Sequence, residues 1–223
     1  MSLRSLPNWE LAKLLPGIHD FPADWNYWLR GSVRQTNPDN GAPPPAGGAS
    51  VPASAYTPRE CAQVPKIVEL FGSPGDAAMV YVDRQTDEIA RAAEISSDDP
   101  DPNAHLAIWK VPDGPAMIAK YVDWLARCGS YRITSVDAGS GNDTVRTVTT
   151  TIDGPPRGSG SAALAVTKST TGTVRGASRL VIYHITYYWE RDVLLEFATN
   201  LVGTDLDVVN HAAGQTLQRM RAQ

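Results

Sequence analysis

The chain has 223 residues, 42% hydrophobic and 20% charged, with a net charge of −4. This suits one generous globular domain or two small ones and does not force disorder. The acidic balance, with no Lys/Arg cluster, argues against a nucleic-acid or anionic-membrane binder, and no apolar run reaches membrane-spanning length.

In chain order, Leu6 to Leu15 reads as a short amphipathic helix, started by Pro7 and stopped by Pro16-Gly17. Asp20 to Trp25 then turns into a strand in which Tyr27, Leu29 and Val33 alternate with polar residues. Trp25 and Trp28 do not share a face there, which points to a bulge or a twist. Residues 36–56 carry Pro38, Pro43, Pro44, Pro45 and Pro52 and almost nothing apolar, and read as a surface loop. Thr57-Pro58-Arg59-Glu60 nearly matches a capping box. It predicts a helix that carries Cys61, breaks near Pro65 and adds a turn over Ile67–Phe71. Strand-like runs follow at Ala78–Arg84, Glu88–Ser96 and His105–Val111. The aspartates between Ser97 and Asn103 lack the spacing and the closing glutamate of a calcium loop, so they read as a solvated turn.

Asp113 to Gly129 is the best-specified helix. Asp113 caps it, Pro115 suits its first turn, and Ile118, Tyr121, Val122, Leu125 and Cys128 share one face. Gly129 is expected to end it in the left-handed conformation. Strands are then expected at Tyr131–Val136, Thr144–Ile152, Ala162–Lys168 and Ser178–Trp189, the last running through Glu190-Arg191-Asp192 into Val193–Thr199. Residues 139–143, 154–158 and 170–176 connect them as an antiparallel meander. A final helix starts at Thr204 with Asp207 as its acidic partner, and Leu206, Val209, Ala213, Leu217 and Met220 form its apolar stripe. Strands in runs with helices set apart predict an α+β fold, an antiparallel sheet with helices packed on it, as a single domain over residues 1–223.

Two cysteines allow one intramolecular bridge. A Cys61–Cys128 bridge would close a loop of roughly seventy residues, contribute about 4 kcal/mol and place the protein outside the reducing cytosol. The alternative is two buried free thiols. The histidines His19, His105, His184 and His211 stand apart in sequence and make no metal-ligand pattern. Gly158-Ser159-Gly160-Ser161 is not a Gly-x-Ser-x-Gly elbow, and no phosphate-cradling glycine motif occurs. No catalytic residue, metal or cofactor is therefore assigned. A hydrolase would need a nucleophile–base pair, which the sequence does not display.

The run from Leu180 to Trp189 is the most distinctive. On a strand, Val181, Tyr183, Ile185, Tyr187 and Trp189 fall on one face, and Leu180, Ile182, His184, Thr186 and Tyr188 on the other. Both faces are apolar or aromatic, as in a central strand covered on each side. If one face lines a cleft, Tyr183, His184, Tyr187, Tyr188 and Trp189 are the candidate ligand-binding residues. The other reading is plain core packing.

Leu14-Leu15-Pro16 with Phe21-Pro22, Pro58-Arg59-Glu60-Cys61, and Trp124-Leu125-Ala126-Arg127-Cys128 followed by Tyr131, strands and a closing helix form a recognisable series. Over about residues 11–219 the chain resembles the extracytoplasmic sensor domain of PknH-type mycobacterial Ser/Thr kinases and related envelope lipoproteins. The resemblance implies an antiparallel sheet, a ligand-binding cleft, export to the cell envelope or periplasmic space, and pairing of Cys61 with Cys128. The sequence departs from the kinase sensor domain in having no cysteines for a second bridge near the last strands, and no kinase motif is present. A stand-alone lipoprotein-like or single-span envelope protein is therefore expected, with any signal or anchor outside this sequence. Its partner would be a small-molecule or lipid-like ligand. The alternative is a protein–protein interaction or scaffolding module with an envelope protein partner.

Overall fold

The computed structural model describes residues 2–31, 54–70, 77–84, 102–136, 143–156, 163–174 and 177–223. Its strands are β1 (Trp25–Gly31), β2 (Ala55–Thr57), β3 (Ala77–Arg84), β4 (Ala104–Trp109), β5 (Ser130–Val136), β6 (Asp143–Gly154), β7 (Ala163–Val174), β8 (Ala177–Glu190) and β9 (Val193–Thr199). The helices are α1 (Asn8–Ala12), α2 (Lys66–Glu69), α3 (Gly114–Cys128) and α4 (Gly203–Ala222). The strands make one sheet in the order β1-β3-β4-β9-β8-β7-β6-β5-β2, antiparallel throughout. The fold is α+β, as expected. Strands β5 to β9 form the predicted meander. Strand β9 returns beside β4, so α3 must carry the chain across one face of the sheet, from its middle to its far side.

Side-chain alternation on the central strands feeds two cores. On one face Val193, Leu195 and Phe197 of β9 pack with Leu11 and Leu14 of the N-terminal segment and Val209 and Leu217 of α4. On the other, Leu194 packs with Trp109, Leu164 and Tyr187 beneath Ile67 of α2 and Tyr121, Trp124 and Leu125 of α3. Strands β4 and β9 are buried along their whole length because both faces are covered. Cys61 and Cys128 are joined in a disulfide across 67 residues, tying the segment before α2 to the last turn of α3.

Helix α3 starts as predicted: the Asp113 carboxylate accepts from the Ala116 amide at 3.0 Å, and Pro115 lies in the first turn. Its end differs. Gly129 is right-handed, with φ −62° and ψ −20°. A Cβ there would come within 3.0 Å of the Leu125 carbonyl and 3.4 Å of the Thr150 carbonyl. The glycine thus permits close approach to β6, where the Thr150 amide donates to Gly129 O at 2.7 Å.

Other expectations need correction. The segment after Pro58 is a 3-10 turn over Arg59–Ala62 with no side-chain cap, because Thr57 is drawn into β2. The expected loop over 36–56 loses its end to that strand, where Tyr56 pairs with Ile133 and stacks on Tyr131 at 5.9 Å. Residues 36–53 of the loop, Val33 at the end of the expected first strand, and the expected strand Glu88–Ser96 lie outside the described residues. The first helix shrinks to Asn8–Ala12. Strand β1 has no bulge: it pairs in unbroken register with β3, Trp25 facing the core and Trp28 the opposite side, exposed. Strand β7 extends to Val174, so most of the expected connection over 170–176 is strand, its threonines well suited to a pleated surface. Thr204 lies within α4, whose cap is Val202 without a side-chain bond. In the α4 stripe Val209, Ala213, Leu217 and Met220 are buried while Leu206 is half-buried. The β8–β9 turn is as predicted: Arg191 and Asp192 both take positive φ, 50° and 67°, as a two-residue primed turn requires.

Candidate functional site: a cleft between the sheet and two helices

The pairing of β7, β8, β9 and β4 sets side chains in rows on the face beneath α2 and α3. Val166 opposes Ile185, Ile185 opposes Ala198, and Ala198 opposes His105. In the next row Leu164 opposes Tyr187, Tyr187 opposes Glu196, and Glu196 opposes Ala107. Lys168 opposes Tyr183 at the outer end. Where the helices stop covering these rows, a cleft of about 180 Å³ remains, lined by Lys168, Tyr183, Ile185, His105 and Glu196 with Tyr121 of α3 and Val68 of α2 as a roof. The volume is below the roughly 300–1,000 Å³ of drug-sized pockets. It fits a small molecule or one end of a longer one.

The deep end is polar and fixed. Glu196, only 4% exposed, accepts from the Trp109 indole N–H at 2.9 Å, and its other oxygen lies 3.1 Å from His105 Nε2. Beside it, burial pushes the Tyr187 hydroxyl well above the ordinary tyrosine pKa, with the nearby Glu196 and Tyr121 adding to the rise. Burial likewise raises Tyr121, against a hydrogen bond to Thr150 that opposes it. Both phenols therefore stay neutral at ordinary pH. Their rings meet edge to face at 6.3 Å. At the mouth, Tyr183 donates to the Pro102 carbonyl at 3.0 Å and accepts from the Asn200 amide at 3.2 Å. The cleft thus offers an aromatic wall, a lysine and a held carboxylate–imidazole pair.

The two faces read from β8 are the faces it has, but they separate the candidate residues. Tyr183 and Tyr187 line the cleft. Trp189 shares their face and packs against the start of α3, where a Cβ on Gly114 would lie 2.1 Å from Trp189 Cε3. His184 and Tyr188 point to the other face, where Tyr188 packs on the first core. His184 Nδ1 lies 3.0 Å from the Thr167 hydroxyl, which donates to the Asp153 carboxylate at 2.7 Å. With the hydroxyl proton directed to Asp153, the imidazole Nδ1–H donates to the Thr167 oxygen. Sequence reasoning did not assign Lys168, Glu196, Tyr121 or His105 to a site. One sign was present: Glu196 is the lone charge in the run Val193–Thr199. Among the described residues no group of three or more His, Cys, Asp or Glu side chains is placed to hold a metal, and no helix is long and apolar enough to cross a membrane.

No protein-family model and no curated protein matches the chain. Among solved structures, the extracellular domain of PknH from Mycobacterium tuberculosis is similar with a TM-score of 0.50 at 8% identity. The match covers 98% of this chain and 98% of that one. At that identity the likeness is one of fold, and it spans essentially the whole of both chains.

Proposed function

We propose that this chain is a non-enzymatic, extracytoplasmic ligand-binding or sensor-like envelope protein whose ligand enters the cleft at Tyr183. The cleft itself is the observation that carries the reading: aromatic rings and a lysine at its mouth lead to a held carboxylate at its floor. The Cys61–Cys128 bridge suits an oxidising compartment, and the fold is shared with an extracellular domain. The ligand is a small molecule, or one end of a lipid-like one, with hydroxyl or amine groups for Glu196 and His105. The protein is held at the membrane as a lipoprotein-like or single-span protein. Protein exported into an oxidising compartment and then extracted with organic solvent should release a defined small molecule. A bare extract, together with unmoved Tyr183 and Tyr187 resonances on adding envelope metabolites and lipids, contradicts the reading.

The alternative, docking to an envelope protein, has one observation in its favour. Leu180 and Ile182 on the opposite face of β8 are 59% and 42% exposed. Loss of partner capture in a Leu180→Ser/Ile182→Ser variant, with ligand release unchanged, would favour it.

A further inference from the structure

A second cavity, of about 470 Å³, lies between the segment leading into α2 and the outer side of α3, and shares no lining residue with the cleft. Its walls come from residues 63–67 and from the helical positions 117, 120, 123, 124 and 127. Three- and four-residue steps bring Met117, Lys120, Trp124 and Arg127 onto one stripe of α3. The Cys61–Cys128 disulfide lies at the edge of both walls and fixes one against the other.

The charge there runs against the chain as a whole. Lys66, Lys120 and Arg127 line the cavity with Asp123 as the one carboxylate, in a protein of net charge −4. None of the three cations has an ion-pair partner among the described residues. Trp124, which lines the same cavity, is 5% exposed, and its indole N–H has no hydrogen-bond partner among the described residues. A buried donor left unpaired keeps the full cost of having lost its water. Ile67 and Met117 supply an apolar wall beside it.

We propose that this cavity binds an amphipathic anion. Its carboxylate or phosphate sits among Lys66, Lys120 and Arg127 and, after a side-chain rotation, accepts from the Trp124 indole N–H. Its apolar part lies on Ile67 and Met117. The cations provide charge-assisted bonds, stronger than neutral ones, and the anion satisfies a donor that the folded chain leaves unpaired.

The test uses decyl phosphate as the probe and the Trp124 indole N–H resonance as the readout, assigned by its loss in Trp124→Phe. Decyl phosphate should move that resonance downfield with a dissociation constant below about 1 mM, and Lys120→Gln/Arg127→Gln should weaken binding by about tenfold or more. Inorganic phosphate should bind more weakly. Reduction of the disulfide, which frees one wall from the other, should weaken decyl phosphate as well. Phosphatidylcholine vesicles doped with phosphatidylglycerol distinguish the source of the anion. Retention on them through the same cations identifies a lipid headgroup, and binding of the monomeric probe alone identifies a free amphiphile. An unmoved Trp124 resonance, equal affinity in the double variant, or equal affinity for inorganic phosphate overturns the proposal. Far-ultraviolet circular dichroism of the double variant confirms that its fold is retained; should it fail to fold, Lys66→Gln makes the same comparison.

Discussion

Glu196 of β9 and His105 of β4 meet at 3.1 Å, both nearly inaccessible, although 91 residues separate them in the chain. The same carboxylate accepts from the Trp109 indole. Replacing Glu196 by Ala leaves that buried N–H without its acceptor and should cost about 1–3 kcal/mol. Glu196→Gln keeps an acceptor oxygen and should cost less. Urea unfolding followed by tryptophan fluorescence orders the two variants; equal losses would mean that the pairing with Trp109 contributes little.

Gly114 and Trp189 are fitted more closely than any other side chain would allow. With a Cβ at Gly114 only 2.1 Å from the indole ring, Gly114→Ala should destabilise by about 1–3 kcal/mol despite alanine's better helix propensity. Gly114→Ala combined with Trp189→Leu should lose less than the sum of the single changes. Additive losses in a double-mutant cycle would show that the two positions do not couple.

Closing 67 residues with the Cys61–Cys128 bridge restricts the unfolded chain and should contribute about 4 kcal/mol. Reductant, or Cys61→Ser with Cys128→Ser, should lower the thermal midpoint markedly, and thiol titration of the native protein should find no free thiol. An unchanged midpoint after verified reduction would contradict this.

Alkaline pH should unfold the protein through its tyrosines. Tyr187 and Tyr121 have folded pKa values above the ordinary 10.0, chiefly because burial disfavours the phenolate. The stability they contribute is therefore complete below pH 10 and is lost as pH rises from there toward the folded values. Each group removes about 1.4 kcal/mol per pH unit in that window. Absorbance at the phenolate band should show these two tyrosines ionising only together with unfolding. Their ionisation in a protein that keeps its near-ultraviolet dichroism would show the site to be open to solvent.

Period-two patterning made the two faces of β8 legible, and 3.6-residue patterning made α3 legible down to its Asp113 cap. Legibility ended where distant segments meet. No local pattern places Trp189 under Gly114, or sets Glu196 between His105 and Trp109, because those contacts depend on β9 returning beside β4. Thr57 reads as a cap because capping and strand residues overlap in threonine, and its pairing with β5 places it in a strand instead. Positive φ is the natural expectation for Gly129 because glycine commonly ends helices that way; here the glycine makes room for the Leu125 and Thr150 carbonyls. For the same reason the aromatic strand shows only part of the cleft lining: Tyr183 and Tyr187 reach it from β8, while Lys168 and Tyr121 come to it from β7 and α3.

Ligand occupancy of the cleft is tested most directly by native mass spectrometry of wild-type protein and Ile185→Trp, both exported into an oxidising compartment. Ile185 lines the cleft, and a tryptophan there fills it. Wild-type protein should carry a bound mass that is released on unfolding, and the filled variant should show about tenfold or more lower occupancy at unchanged secondary structure. Equal occupancy in the two proteins, or none in either, would contradict a ligand-binding cleft.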